Sequence, residues 1–488
     1  MNTPREILDR LAALGVKAAG VADDSRQVAP GDLFLAYPGD LADGRRYIGD
    51  ALARGAAAVL WQAGGDFAWN PAWTAANLQV DALRALAGPL AHAVHGAPSE
   101  GLSLIAITGT NGKTTVSQFI AQVHVRRCAV IGTLGAGFPG ALAETGFTTP
   151  EATTLMRLLA GFRRAGAEAC ALEASSIGIE EGRMNGARVD VAVFTNFTRD
   201  HLDYHGSMEA YAAAKRKLFI WPGLRTAIVN LDDALGRQLA GATTAATVLG
   251  YAIGDTGAAV RAEQLCETPQ GQRFTLVLPD GSAVVETPLL GRYNVSNLLA
   301  VAAVLHDAGV VADDVARRLS NVHAPAGRLE RLGCVGEPLV VVDYAHTPDA
   351  LENVLLTLRA VANARGGRLE VVFGCGGDRD PGKRPQMGEV AVRLADRVLL
   401  TSDNPRGEDP ERIIADIRAG AGTAESEVDR AEAIRRAICR AAVTDVVLLA
   451  GKGHEAYQER AGVRTPFSDL EQARLALDLR RHGKREVA

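Results

Sequence analysis

From residue 103 the chain alternates short apolar runs with amphipathic stretches. SLIAIT (103–108), CAVIG (128–132), AEACALEAS (167–175), VDVAVFTN (189–196), TAIVNLD (226–232) and ATVLGYA (246–252) show little polar alternation. Strands buried on both faces read this way. The stretches Gly112 to about Val125, Glu151–Arg164 and Met208–Phe219 carry helical patterning between them. The pattern predicts a parallel sheet covered by helices on both faces. A second series begins near Gly327, with strands at PLVVVDYA (338–345), RLEVVFGCGG (368–377), RVLLTSDN (397–404) and DVVLLAGKG (445–453). Their polar loops fall at the carboxyl ends, where such sheets bind ligands. Residues 258–290 differ. FTLVLPDGSAVVE (274–286) reads as a hairpin with Asp280-Gly281 in its turn, and Asn294–Leu305 as a helix. Ahead of all this, MNTPREILDRLAALG reads as a short amphipathic helix, and residues 24–31 as a turn feeding the strand DLFLA (32–36).

These patterns predict an α/β protein of three domains, spanning 1–98, 99–326 and 327–488, with a linker at Pro98-Ser99-Glu100-Gly101. A length of 488 residues fits that number. The formal net charge of -5 offers no basic field, so nucleic acid is not an expected partner. No apolar run reaches the ~20 residues of a membrane span, and the N-terminus lacks the apolar block of a signal peptide. A cytoplasmic protein without membrane contact is expected. The six cysteines form no C-x-x-C pair and are expected to be buried, reduced thiols.

The chemistry concentrates in loops. In IAITGTNGKTT (105–115) a strand enters a Gly-containing turn and a helix starts near Gly112. Amide groups at such a start lack intrahelical partners and sit at the positive end of the dipole, so they can cradle phosphate. Lys113 can reach the outer phosphates, and the Thr114 hydroxyl can ligate Mg²⁺. The usual loop has a glycine where this chain has Ile107. Thr148 and Thr149 precede Pro150 at a helix start, either as a cap or as contacts to a phosphate or sugar. Glu173, at the end of a buried strand, suits a Mg²⁺ ligand or water positioner. The loop TNFTRDHLDYHG (195–206) holds two His and two Asp, a density that points to metal or phosphate chemistry. On pattern alone Lys215 is a solvated lysine near a helix C-terminus. Asp403-Asn404-Pro405-Arg406, likewise, is a proline turn with a surface arginine.

Taken in order, TGTNGKTT, TTPE, LE-x-SS, FTNFTRDHLDYHG, AAK, GRYNVSN, GRLE, DYAHTPDAL, GCGGDRDPGKRP, SDNPRGEDP and GKGHE resemble the Mur ligase family of ATP-dependent amide-bond ligases, over nearly the whole chain. In that family G-x-x-G-K-T is the phosphate loop. The resemblance implies a central P-loop ATPase domain on a parallel sheet, between a small N-terminal α/β domain and a C-terminal Rossmann-like domain. Within the family the chain looks like the members that add the third residue, meso-diaminopimelate, to UDP-N-acetylmuramoyl-L-alanyl-D-glutamate through an acyl phosphate.

The implied roles are specific. Gly109, Thr110, Asn111, Gly112, Lys113, Thr114 and Thr115 would hold ATP, with Asn294 and Asn297 near the adenine. Thr114, Glu173 and His201 would organise Mg²⁺. Lys215 would carry CO₂ as a carbamate and help hold a second Mg²⁺. Ser25, Thr148, Thr149, Ser175 and Arg183 match positions that hold the UDP-muramoyl substrate. Arg379, Asp403, Asn404, Pro405, Arg406, Gly451 and Glu455 would receive diaminopimelate. Arg406 would fork onto a carboxylate that lysine lacks, and Glu455 would face an ammonium. Lys113, Glu173, His201 and Lys215 are thus the expected catalytic set, in a monomer. Four departures stand out: Ile177 where the family often has His, Glu181 where it has Gln, Pro325 before GRLE, and the loop Asp40-Leu41-Ala42. Rival readings are a lysine-adding ligase, a folylpolyglutamate synthase, a P-loop kinase or switch, and a silent nucleotide-binding module.

Overall fold

A computed structural model describes residues 3–39, 42–268 and 271–485. The first helix, Pro4–Ala13, starts at a capping box: Thr3 Oγ1 accepts from Glu6 N at 3.2 Å, and Glu6 Oε2 from Thr3 N at 2.8 Å. Ile7 and Leu11 form its buried stripe. Four parallel strands follow in sequential order: Gly20–Ala22, Asp32–Ala36, Ala58–Trp61 and Ala76–Gln79. Asp40 and Leu41, which depart from the family pattern, lie outside the described residues.

The second sheet has eleven strands. Its parallel centre runs, in space, Cys128–Gly132, Ala169–Glu173, Ser103–Thr108, Val191–Phe194, Thr226–Asn230, Thr247–Ile253 and Val260–Thr268. Both edges are antiparallel, so the sheet is mixed rather than wholly parallel. Gly135–Phe138 and Ala141–Ala143, a hairpin the pattern did not reveal, cover one edge; Gly271–Leu278 and Gly281–Thr287 cover the other. In the second hairpin Gly281 pairs with Leu278. The turn is therefore Pro279-Asp280, one residue earlier than expected. The helices Lys113–Val123, Ala152–Arg164, Met208–Phe219 and Arg292–Asp307 lie within two residues of their predicted bounds. One hydrophobic cluster runs from Leu33 and Leu35 through helix Leu83–Val94 to Leu155, Leu172 and Phe194. The first two sheets thus share a core.

The third sheet orders Glu330–Leu332, Leu339–Asp343, Val446–Ala450, Leu369–Phe373, Arg397–Leu400 and Glu425–Ser426, with only the first antiparallel. The late strand Val446–Ala450 lies between the two earlier ones, Leu339–Asp343 and Leu369–Phe373. Loops leaving these strands therefore flank a crevice at their carboxyl ends. A fully buried Arg430 braces that end. It donates to both oxygens of buried Asp469, at 2.7 and 2.6 Å, and to the carbonyls of Ser402 and Ala450.

Candidate active site

Ile107 is the penultimate residue of the strand Ser103–Thr108, fully buried and in register with Glu173. The position that carries glycine in the longer loop is here part of the sheet, and the turn begins at Gly109. Two glycines there are obligatory. Gly109 has φ 150°, and a Cβ on it would lie 1.8 Å from Thr195 Oγ1; Gly112 has φ 85°, and a Cβ would lie 2.7 Å from Asn297 Oδ1. Asn111 N donates to Asn196 Oδ1 at 2.9 Å, which ties the loop to the next strand end.

Both site lysines converge on this loop. Lys113 Nζ donates to the carbonyls of Gly109 (2.8 Å) and Thr110 (2.9 Å), and Lys215 Nζ to the same Gly109 carbonyl (3.0 Å). Lys215 is 1% exposed, with its ammonium 4.2 Å from the Tyr211 ring centre. The expectation of a solvated surface lysine is wrong. Periodicity placed the helix correctly, but tertiary packing turns this face inward. Burial, and then the neighbouring Lys113 charge, hold the Lys215 amine well below the usual lysine range. Burial also lowers Lys113.

Glu173 is fully buried at its strand end. It accepts from Thr114 Oγ1 at 3.0 Å, Thr133 N at 3.0 Å and Thr133 Oγ1 at 3.1 Å. Burial raises its pKa despite the nearby Lys113 charge. His201 adopts φ 54° ahead of the short helix Leu202–His205. Its Nε2 lies 3.5 Å from Asp200 Oδ2, and burial lowers its pKa to about 4. Among the described residues no group of three or more His, Cys, Asp or Glu could hold a metal ion. The paired Thr114 hydroxyl and Glu173 carboxylate still suit a Mg²⁺ that takes its remaining ligands from phosphate and water.

These residues line one open cleft with Thr148, Thr149, Ser175, Ile177, Arg183 and Arg379. Thr149 Oγ1 meets the Glu173 carbonyl at 2.8 Å and Ser175 Oγ at 3.0 Å. Arg183 donates to the Thr149 carbonyl at 3.0 Å and to Glu181 at 2.8 Å. Glu181 is therefore the partner that orients Arg183. Ser25 is buried in the 3₁₀ turn Ser25–Gln27 and does not line the cleft. Its neighbours Asp23 and Gln27 reach Thr153 (2.8 Å) and Arg157 (2.7 Å) on the helix behind Thr149.

A narrower cleft adjoins the phosphate loop, lined by Asn111, Gly112, Asn294, Asn297, Tyr293, Pro325 and Arg328 among others. The Tyr293 hydroxyl and Arg328 Nε are buried without partners. Orphaned polar atoms beside a phosphate loop fit a nucleotide base and ribose.

The third sheet closes the site. Asp200 is buried 3.5 Å from Lys383 Nζ and 3.8 Å from His346 Nε2, and Arg199 donates to Asp380 at 3.1 Å. Asn111 donates to Asp349 at 3.0 Å. Pattern reading left Asp200, Arg328, His346, Asp349 and Lys383 without roles, although four of them stand in quoted motifs of the third unit or in GRLE and the fifth in the His-rich loop. Arg379 and Arg406 flank Gly376: a Cβ there would lie 2.8 Å from Arg406 Nη1 and 3.7 Å from Arg379 Cγ. Asn404 donates to Glu455 Oε2 at 2.7 Å, and fully buried Lys452 bonds Asn404 Oδ1 (3.0 Å) and Glu455 Oε2 (3.2 Å). A Cβ on Gly451 would lie 2.5 Å from Asp403 Oδ2, and Pro405 connects Asn404 to Arg406. Of the cysteines, Cys128, Cys170 and Cys375 are buried as expected, while Cys266, Cys334 and Cys439 are exposed.

A phosphate loop opposed by a buried carboxylate, with a second α/β sheet closing over it, defines a nucleotide-dependent α/β protein with two ligand sites. The chain belongs to the Mur ligase family. Three family models match it: "Mur ligase family, catalytic domain" at 17–95, "Mur ligase middle domain" at 107–305 and "Mur ligase, glutamate ligase domain" at 327–453. A relative from Chromobacterium violaceum, named UDP-N-acetylmuramoyl-L-alanyl-D-glutamate--2,6-diaminopimelate ligase, is 51% identical over 96% of each chain. One of the same name from Pseudomonas aeruginosa is 52% identical over 93% of this chain and 94% of its own. A solved structure of that name matches with a TM-score of 0.67 and 40% identity, over 95% of this chain and 96% of the other. The fold is also that of the MurF ligase from Thermotoga maritima in complex with ADP (TM-score 0.67, 18% identity, 96% and 99% covered). No helix among the described residues is long and apolar enough to cross a membrane.

Proposed function

We propose that this chain is an ATP-dependent ligase that joins meso-diaminopimelate to the D-glutamate γ-carboxylate of UDP-N-acetylmuramoyl-L-alanyl-D-glutamate, for peptidoglycan precursor synthesis, with ADP and phosphate as the other products. One observation carries the reading: the phosphate loop and Glu173 share a single cleft with Arg379 of the third sheet. Reaction of an acid with an amine through ATP needs these two lobes to meet.

A carboxylate is a poor electrophile. Transfer of the γ-phosphoryl group converts it to an acyl phosphate, whose leaving group departs readily. Loop amides of Gly109–Thr115, together with Lys113, neutralise the phosphates and align them with the acid. Asn294 and Asn297 line the cleft for the base. Thr114, Glu173 and His201 would hold Mg²⁺, which supplies charge neutralisation at the phosphates. Low pKa keeps His201 neutral and able to donate a lone pair at neutral pH. CO₂ adds to a neutral amine, and burial together with the neighbouring Lys113 charge shifts Lys215 towards that form. As a carbamate it would add an anionic ligand for the second metal ion.

The UDP-muramoyl substrate would lie along Thr148, Thr149, Ser175 and Arg183, with Glu181 orienting the arginine and Ser25 at the far end. Diaminopimelate would present one carboxylate to Arg406 and Arg379, and an ammonium to Glu455. Asp403, Asn404, Pro405 and Gly451 would shape that pocket. Residues 1–98, 99–326 and 327–488 would then serve the UDP moiety, ATP and the amino acid, in a cytoplasmic monomer. The test is a phosphate-release assay with the muramoyl dipeptide nucleotide, ATP, Mg²⁺ and a panel of amines. Diaminopimelate should be strongly preferred; equal turnover with L-lysine, or turnover without any amine, would overturn the reading.

A further inference from the structure

The hairpin Tyr457–Arg460/Val463–Pro466 belongs to none of the three larger sheets. Its residues nevertheless make a dense set of bonds to the loop Ser402–Arg406. Gln458 Nε2 donates to Ser402 Oγ at 2.9 Å and to the Asp403 carbonyl at 2.7 Å. Glu459 N donates to Asn404 Oδ1 at 3.0 Å. Arg406 N donates to the Glu459 carbonyl at 3.0 Å, and Ala461 N to the Arg406 carbonyl at 2.6 Å. Arg406 and Arg460 form an isolated parallel bridge.

The consequences are conformational. Arg406 has φ 49°, a left-handed conformation that an L-residue other than glycine keeps only where its surroundings hold it there. Both of its backbone hydrogen-bonding groups are satisfied by the hairpin. Asn404 could present its amide either way round. Glu459 N and Lys452 Nζ both need an acceptor, so Oδ1 faces them and Nδ2 faces Glu455. The hairpin therefore fixes the direction of Arg406 and, through Asn404, the seat of Glu455.

We infer that the hairpin Tyr457–Pro466 sets the acceptor amino-acid specificity, with Gln458 as its positioning residue. This rests on the reading that Arg406 meets the acceptor carboxylate. Gln458 touches the loop rather than the substrate, and its amide spans two consecutive residues that a shorter or apolar side chain cannot bridge.

The test compares full-length wild type with Gln458→Met, which keeps length and loses both donated bonds. Diaminopimelate KM should rise about tenfold, the effect of roughly one net buried hydrogen bond. The preference for diaminopimelate over L-lysine should fall by a similar factor, while KM for ATP stays within about twofold. Gln458→Asn retains the amide but is one methylene short, and should fall between the two. It carries the test alone should the Met variant fold poorly. Arg393→Ala, which removes only the surface bond from Arg393 to Glu352 at 2.8 Å, far from the hairpin in sequence, should leave acceptor selectivity unchanged. An unchanged diaminopimelate KM, or an equal loss for every substrate, would overturn the inference. Wild type that makes no diaminopimelate product would instead overturn the reading beneath it.

Discussion

Replacing Arg406 with Ala tests the acceptor pocket most sharply. Its Nη1 already donates to the Gly377 carbonyl at 2.9 Å, which anchors the guanidinium and leaves Nε and Nη2 without a partner among the described residues. Those two donors form the fork that fits a carboxylate. Charge-assisted hydrogen bonds contribute about 1.5–3 kcal/mol each, and some of that is offset by desolvation. A loss of about 3 kcal/mol corresponds to roughly 100-fold in affinity. Steady-state phosphate release, at saturating ATP and muramoyl dipeptide nucleotide with diaminopimelate varied, reads this directly. KM for diaminopimelate should rise by roughly that factor, with kcat much less affected, because the carboxylate contact is equal in ground and transition states. Arg406→Lys keeps the charge but not the fork, and should recover only part of the loss. A diaminopimelate KM within about twofold of wild type would refute the assignment of this arginine.

Other expectations follow from burial and charge. Glu173→Gln should abolish turnover yet raise the melting temperature of the metal-free protein at pH 8. A carboxylate whose folded pKa is raised costs stability as pH climbs past its unfolded value, so the gain should vanish near pH 4, as scanning calorimetry can check. Lys215→Ala should lose most activity and regain part of it with added short carboxylates; no rescue by any of them would count against a carbamate. Burial lowers the folded pKa of His201 and His454 to about 4, so stability should fall as pH drops from about 6.5 towards 4, and His201→Gln with His454→Gln should flatten that slope. Arg430→Met leaves buried Asp469 uncompensated and should cost about 3–5 kcal/mol in urea unfolding, while adding Asp469→Leu should recover much of it.

The fold was legible wherever burial on both faces left continuous apolar runs. Ser103–Thr108, Cys128–Gly132 and Leu339–Asp343 all lie within their predicted stretches. The edges were not. Gly135–Phe138 is glycine-rich and Ala141–Ala143 has two exposed residues, so neither carries an apolar signal. The Pro279-Asp280 turn was misplaced by one residue because Asp-Gly is the stronger hairpin signal, yet Gly281 already opens the second strand here and pairs with Leu278. At the site, the placement of Lys113 and Thr114 at a helix start was readable, because it depends on local loop geometry. Lys215 was not, because its burial depends on packing against the distant Gly109 carbonyl. Gln458, Lys452 and Asp200 act on partners far away in sequence, and no local spacing announces such pairs.

Transfer of oxygen from the substrate acid to phosphate tests the central claim most directly. With ¹⁸O in the D-glutamate γ-carboxylate, ATP, Mg²⁺ and diaminopimelate, phosphorus NMR should find one ¹⁸O in each inorganic phosphate released per amide formed. Amide formation with unlabelled phosphate would contradict activation through an acyl phosphate.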